Sequence, residues 1–234
     1  DNLVLFTYGN GSMEIEGNLV PIDNGSSMEV LVSYDKDGNI VNINRIWVPM
    51  PSVYPNSDMC ISPYDGSIFL YGKTSRDSLI LNNYQSIGAE WITEFLYVVK
   101  YSRDLKFEWA YTAGFQHDSA NGYGNYNKLI GTPDASGNFI LTGNYSSNYD
   151  RPVFSDQILS YYPNSDGMFA FKLSGQGEPV WVKQGFMDGT TYDGTGVYKG
   201  FGMSNGDIIL CATTNTGRFQ LSDIDIVFEK YDYL

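Results

Sequence analysis

One histidine, two cysteines and 14 basic side chains stand among 234 residues, and each scarcity removes a class of function. No cluster of His, Cys and acidic residues has metal-ligand spacing, and phosphate-binding glycine loops and a Gly-x-Ser-x-Gly elbow are absent. No metal, cofactor or catalytic set is therefore assigned. The 14 Lys and Arg face 27 Asp and Glu, a net charge of −13, which repels nucleic acid and anionic membrane surfaces. Cys60 and Cys211 sit in strand-like runs at positions that do not correspond, so the reading is two buried free thiols rather than a framework disulfide. No apolar run approaches the roughly 20 residues that a membrane-spanning helix needs. No window holds a helical apolar period over three turns with caps, and Gly88 to Phe95 has room for one turn at most.

What the chain has in quantity is Gly, Tyr, Asn, Ser and Asp, the residues of turns and strands, with enough apolar and aromatic side chains to bury a core. This balance suits an exported protein, and the opening Asp1-Asn2 before a strand-like run is read as the start of a mature chain whose leader has been removed. Sequons at Asn10, Asn24 and Asn144 would matter only in a eukaryotic secretory pathway.

Aligned to itself, the chain repeats. Asp65-Gly66-Ser67-Ile68-Phe69-Leu70-Tyr71-Gly72, Ser136-Gly137-Asn138-Phe139-Ile140-Leu141-Thr142-Gly143 and Asn205-Gly206-Asp207-Ile208-Ile209-Leu210-Cys211-Ala212 share a turn dipeptide followed by an apolar run. Their glycines are spaced by roughly seventy residues, and Leu5-Phe6-Thr7-Tyr8-Gly9 fits as a fourth copy without its turn. A second motif follows each: Tyr97-Val98-Val99-Lys100-Tyr101, Phe169-Ala170-Phe171-Lys172-Leu173, Val227-Phe228-Glu229-Lys230-Tyr231 and the divergent Val30-Leu31-Val32-Ser33-Tyr34. Trp109 and Trp181 each lie nine residues beyond the lysine, whereas Asn42 takes that place in the first copy. Lysine and tryptophan at recurring positions read as structural. Each unit becomes four short strands, a before the turn, b after it, c with the lysine and d with the tryptophan. The expectation is a single all-β domain over 1–234, a β-propeller-like array of about four four-stranded antiparallel meanders at about 2–47, 58–111, 127–184 and 198–234.

These motifs resemble the SBBP-type β-propeller repeat of bacterial exported proteins. In that repeat a Gly-Asn-aliphatic strand ending in Thr-Gly precedes an Asp-aromatic-Val-x-Lys-Tyr strand, a turn and a tryptophan. The resemblance covers nearly the whole chain and implies a blade and an extracytoplasmic location, not an activity. Here the b–c loops are longer and the first copy is degenerate. Quinoprotein-type propellers are more distant, because their Thr-Gly-x-x-x-Trp signature is missing, and no quinone is carried over. The N-terminus supplies b, c and d and the C-terminus a, b and c, so the ends do not combine into one blade. A longer protein, a homodimer or larger assembly, or an unrecognised strand would each resolve the mismatch.

In such a meander the b–c and d–a connections share one face, and they are the long ones, about 74–94 and 146–166 for b–c and 48–57, 112–126 and 185–197 for d–a. They carry the candidate ligand-binding residues Trp91, His117, Asp118, Tyr123, Tyr126, Tyr149, Asp150, Arg151, Tyr161, Tyr162 and Tyr192. Rings beside Asp and Asn suit sugars, whose apolar faces stack while short polar groups take the hydroxyls, and they suit protein patches equally. They also suit loops that simply pack on one another. His117-Asp118 is a poor catalytic pair because neighbours in sequence seldom orient each other. Asp35-Lys36-Asp37-Gly38 opens like a calcium loop but has Ile46 where a ligating Glu belongs, and reads as a hairpin turn. The expectation is a non-catalytic extracytoplasmic binding or scaffold protein for glycan or protein, with any lipid anchor outside this chain. A glycan-active hydrolase or lyase using loop carboxylates is the alternative, and a structural subunit is a third.

Overall fold

The computed structural model describes residues 3–10, 13–20, 27–48, 56–74, 78–81, 86–88, 95–117, 129–146, 150–155, 157–160, 165–188, 196–202, 208–213, 218–221 and 224–227. Among them every regular element is a β-strand, every strand pairing is antiparallel, and no helix is long and apolar enough to cross a membrane. The chain divides into two compact units, Asp1–Ile61 with Gly66–Thr112, and Ser62–Asp65 with Ala113–Leu234.

In the first unit β1 (Leu3–Asn10) is followed by a hairpin of β2 (Met13–Ile15) and β3 (Asn18–Val20), then by β4 (Ser27–Tyr34) and β5 (Ile40–Val48). Next come β6 (Asn56–Ile61), β7 (Ile68–Thr74), a hairpin of β8 (Ser78–Ile80) and β9 (Ser86–Gly88), β10 (Phe95–Tyr101) and β11 (Phe107–His117), the last of which continues into the second unit. One sheet runs β1-β4-β5-β8-β9, and the next is ordered β6-β7-β10-β11. The second unit holds β12 (Leu129–Pro133), β13 (Phe139–Ser146), a hairpin of β14 (Asp150–Phe154) and β15 (Gln157–Ile158), β16 (Ser165–Leu173) and β17 (Pro179–Asp188). It closes with β18 (Gly196–Gly202), β19 (Ile208–Thr213), β20 (Arg218–Leu221) and β21 (Ile224–Val227). There the order is β12-β13-β16-β17-β20-β21, with β18-β19 as a separate pair.

The a, b, c and d strands are thus β6, β7, β10, β11 in one meander and β12, β13, β16, β17 in another. The segments expected to be long b–c loops are not plain loops. Each holds a short hairpin that joins the d strand of the preceding meander: Ile80 of β8 lies opposite Trp47 of β5, and Asp150–Val153 lie opposite Gly114–His117. After β19, Arg218–Leu221 lie in the same way opposite Gly185–Asp188. Strands of two to five residues are too short to show period-2 alternation, so no sequence pattern distinguishes them from connections.

Strands b and c take the centre. All seven residues of β10 are buried, as are six of seven in β7, so their apolar runs are continuous rather than alternating. In the first unit Leu31 and Ile46 pack with Leu70, Phe95, Tyr97 and Val99, and Leu79 and Leu81 from the β8 segment join the same core. The opposite face of β4, with Met28, Val30 and Val32, is covered by Ile15 of the β2–β3 hairpin. In the second unit Phe154 of β14 stacks on Phe171 of β16 at 4.3 Å between centroids and tilts against Phe169. Tyr145 lies across the strand pair from Gly167, and a Cβ there would fall 2.0 Å from its ring.

The tight turns share one chemistry. At Asp35, Ser102, Asp134 and Ser174 the side-chain oxygen accepts the N–H four residues on, at 2.9 to 3.2 Å. The fourth turn residue has positive φ: Gly38, Gly137 and Gly177 at 78–84°, but Leu105 at 57°. This is a three-residue hairpin loop with a left-handed bulge position, and it resolves Asp35-Lys36-Asp37-Gly38 as the β4–β5 turn. A left-handed leucine costs about 1–2 kcal/mol. Burial offsets it: Leu105 is 2% exposed, in the core with Leu31, and its carbonyl accepts the Asn44 amide at 2.5 Å.

Two glycines separate backbone from packing constraints. Gly137→Ala meets no neighbour but is strained at φ 78°, and should cost about 1 kcal/mol. Gly167→Ala must displace the buried Tyr145 ring and should cost about 3 kcal/mol. Urea denaturation measures both; a Gly167→Ala no worse than Gly137→Ala would contradict the packing described.

Candidate functional site

Three of the expected binding residues lie within the described chain. His117 ends β11, and Asp150 and Arg151 open β14. The register sets His117 directly opposite Asp150 and Gln116 opposite Arg151. Two segments more than thirty positions apart in sequence are thus brought together at one strand end. They belong to strands rather than loops because β14 extends the β11 edge. Arg151 is half-buried, and its guanidinium approaches the Leu159 carbonyl at 3.5 Å, within a hairpin further tied by the Leu159 N–H to the Pro152 carbonyl. Trp91, Asp118, Tyr123, Tyr126, Tyr149, Tyr161, Tyr162 and Tyr192 lie outside the described residues, as do 89–94 of the single-turn segment.

Behind that strand end the β14–β15 insertion is anchored to its own meander. The Tyr145 hydroxyl donates to the Ser160 carbonyl at 2.9 Å. Gln184 of β17 accepts the Ser160 N–H and donates to its hydroxyl, both at 2.8 Å. With Phe154 and Leu159 only 2% and 0% exposed, this segment is fixed by apolar and polar contacts together.

Of the recurring lysines and tryptophans, Lys100, Lys172 and Trp109 are held in ion-pair and ring contacts, and Lys230 lies outside the described residues. Lys100, buried on β10, pairs with Glu108 at 3.0 Å and lies 5.7 Å from the centre of the Phe69 ring, which meets Trp109 edge-on. Lys172 pairs with Asp134 at 2.8 Å, opposite Trp181 in the ladder. Burial alone would raise the Asp134 carboxyl. The Lys172 ammonium and the donors of the turn, Asn138 and Ser136, outweigh it and hold the group below its ordinary value.

Sequence reasoning missed the most perturbed carboxyl. Glu29 of β4 is 1% exposed, and burial pushes it up to about 7, against the pull of hydrogen bonds from Ser57 and Tyr97. The Tyr97 hydroxyl lies 2.5 Å from Ser57 Oγ and 3.4 Å from Glu29 Oε2. Burial, then the Glu29 charge, raise the Tyr97 and Tyr101 phenols as well, and the Tyr101 hydroxyl has no hydrogen-bond partner among the described residues. The signal was present in Met28-Glu29-Val30-Leu31-Val32, an acid inside an apolar run. A group this deep can hold a proton but cannot meet a substrate.

Cys60 is a free thiol that burial, then Asp58, push up to about 12. The Cys211 side chain lies outside the described residues. Asn144, the third sequon, is 3% exposed within β13 and closed to a glycosylating enzyme. Among the described residues no group of three or more His, Cys, Asp or Glu side chains converges as a metal site. No protein-family model matches this chain, and a search of curated proteins finds no match either.

Glu29 gives a pH signature. Its folded-state pKa exceeds the ordinary 4.5, so between pH 4.5 and about 7 the unfolded chain has lost a proton that the folded chain keeps. Stability should therefore fall as pH rises through that window, by on the order of 3 kcal/mol, and level off above it. Asp35 and Asp134, held low, stay ionised there and act only in more acid solution. Glu29→Gln should flatten the slope in urea titrations at pH 5 and pH 8; equal slopes in both proteins would refute a buried neutral Glu29.

Proposed function

We propose that this chain is a non-catalytic binding or scaffold protein, built as a propeller-like array of about four blades and exported to the periplasm or cell surface. The observation that carries the reading is the His117–Asp150 register. It joins the ends of two segments that between them carry, in sequence, Asp118, Tyr123 and Tyr126 on one side and Tyr149 on the other. Aromatic and short polar residues carried by two segments that meet at one strand pair suit a glycan or a protein patch. The strands beneath are held by the Phe154 stack and the Ser160–Gln184 bonds, so a ligand would meet a pre-organised platform. The export reading rests on composition and on the resemblance of the Thr142-Gly143 and Phe171-Lys172 motifs to exported propeller repeats.

An acid–base enzyme has less support. Glu29, the carboxyl held protonated near neutral pH, is sealed between sheets of the first unit, and glycoside hydrolysis needs two carboxyls reaching one sugar.

Glycan arrays and surface-protein pull-downs test the proposal, using the intact chain beside Tyr149→Ala and His117→Ala. Binding that falls tenfold or more in both variants, with unchanged thermal midpoints, is expected. Binding that ignores both substitutions would remove this strand end from the site, and turnover of a bound glycan would overturn the non-catalytic reading.

A further inference from the structure

The first and second meanders, both within the first unit, share one apolar core, and hydrogen bonds cross it at two places. On the turn side the Asn42 and Asn44 amides of β5 donate to the Asp104 and Leu105 carbonyls of the β10–β11 turn, and the Leu105 side chain lies in the same core as Leu31. Ser33 stands opposite Asn42 in the ladder, and four positions back along β4, about 13 Å away, is Glu29. There the Tyr97 hydroxyl of β10 stands between Glu29 Oε2 and Ser57 Oγ of β6. Ser57 is half-buried, so this chain of groups runs from the margin of the core to a carboxyl deep inside it. Amides and carbonyls do not titrate, but Glu29 does, and no counter-charge faces it from the described strands. On β10 its neighbours are Tyr97 and Tyr101, whose phenols burial above all keeps protonated, while Lys100 alternates to the other face and meets Glu108. Its ladder partners are Tyr8 on β1 and Ile46 on β5, with Arg45 alternating away toward the face of Ile43. On β6 Asp58 alternates away from Ser57 and accepts from the Tyr71 hydroxyl, and on β7 Lys73 lies on the face opposite to Leu70.

We propose that the Ser57–Tyr97–Glu29 chain is a proton-operated latch between the two meanders: with Glu29 protonated their core is shut, and with Glu29 ionised it opens to water on the Glu29 side while the Asn44–Leu105 side stays closed. An ionised carboxyl without a counter-charge gains most from water, and the half-buried Ser57 marks the side from which water reaches it. Ile80 of β8 lies opposite Trp47, next to the Glu29 partner Ile46, so Leu79 and Leu81 are the apolar side chains on the side that yields. The closed core keeps a proton that the open one loses, so opening becomes easier as pH rises from 4.5 to about 7, by up to about 300-fold, and then levels off. A urea slope reports only the total effect of pH; the latch fixes where the core gives way. This inference does not depend on the ligand reading above.

Methyl relaxation dispersion on the intact chain with labelled leucines, read from pH 5 to pH 8 beside the carboxyl carbon shift of Glu29, is the test. Exchange at Leu79 and Leu81 should grow as Glu29 ionises, while Leu105 stays quiet. Glu29→Gln should remain closed at every pH. Ser57→Ala removes a hydrogen bond that favours the ionised carboxyl, and should move the Glu29 titration and the levelling of the exchange together to higher pH. Exchange that is equal at Leu79 and Leu105, or that persists in Glu29→Gln, overturns the latch, and so does a core that stays still while Glu29 titrates. A Glu29 that titrates like a surface carboxyl overturns it together with the pH dependence of stability. Should Glu29→Gln fail to fold, the wild-type contrast between Leu79 and Leu105 and the displacement in Ser57→Ala decide: no contrast, or no displacement, rejects the latch.

Discussion

The edge of each d strand is the constraint around which the described structure is arranged. A four-stranded antiparallel meander whose b and c strands are buried on both faces still ends in a row of open N–H and C=O groups. On β5, β11 and β17 that row is taken up, at least in part, by a hairpin from the next stretch of chain. The hairpins are short, and a two-stranded ribbon of this size is marginal on its own in water. The hairpins on β5 and β11 are each held twice, by ladder bonds to the strand before them and by apolar residues in their own meander. Leu79 and Leu81 do this for the first, and Phe154 and Leu159 for the second.

This double anchoring explains where polar groups are found. Ser160 and Gln184 satisfy one another where the second insertion rejoins its meander, so the chain does not leave buried backbone groups unpaired there. Lys100–Glu108 and Lys172–Asp134 bring charge to strands otherwise rich in apolar groups, each lysine neutralised in place. Among the described residues no cation pairs with Glu29, and burial pushes its carboxyl up to about 7 instead, favouring the neutral form below that pH.

Much of the fold was legible. The Asp-Gly and Gly-Asn dipeptides before apolar runs located β7 and β13, and the Lys-Tyr and Lys-Leu runs located β10 and β16, because turn chemistry and burial act over a few residues. The hairpins β8–β9 and β14–β15 were not legible: Ser78-Leu79-Ile80 or Gln157-Ile158 is too brief to carry a period, and its pairing partner is remote in sequence. The candidate site was legible in composition only. His117 and Asp150 stand in segments far apart in sequence, and their meeting follows from a register that no local pattern encodes. Glu29 shows the converse, since the acid stands out in an apolar run but its raised pKa comes from burial that only the packing of other strands supplies.

Native-state amide hydrogen exchange across Gly114–His117 and Asp150–Val153 tests the double anchoring most directly. If the insertion is an integral strand pair, the ladder amides of the two segments should be protected together, with opening free energies approaching those of β13. Exchange at 150–153 as fast as in an open loop, with 114–117 equally unprotected, would contradict it and return the insertion to a loop laid over the sheet.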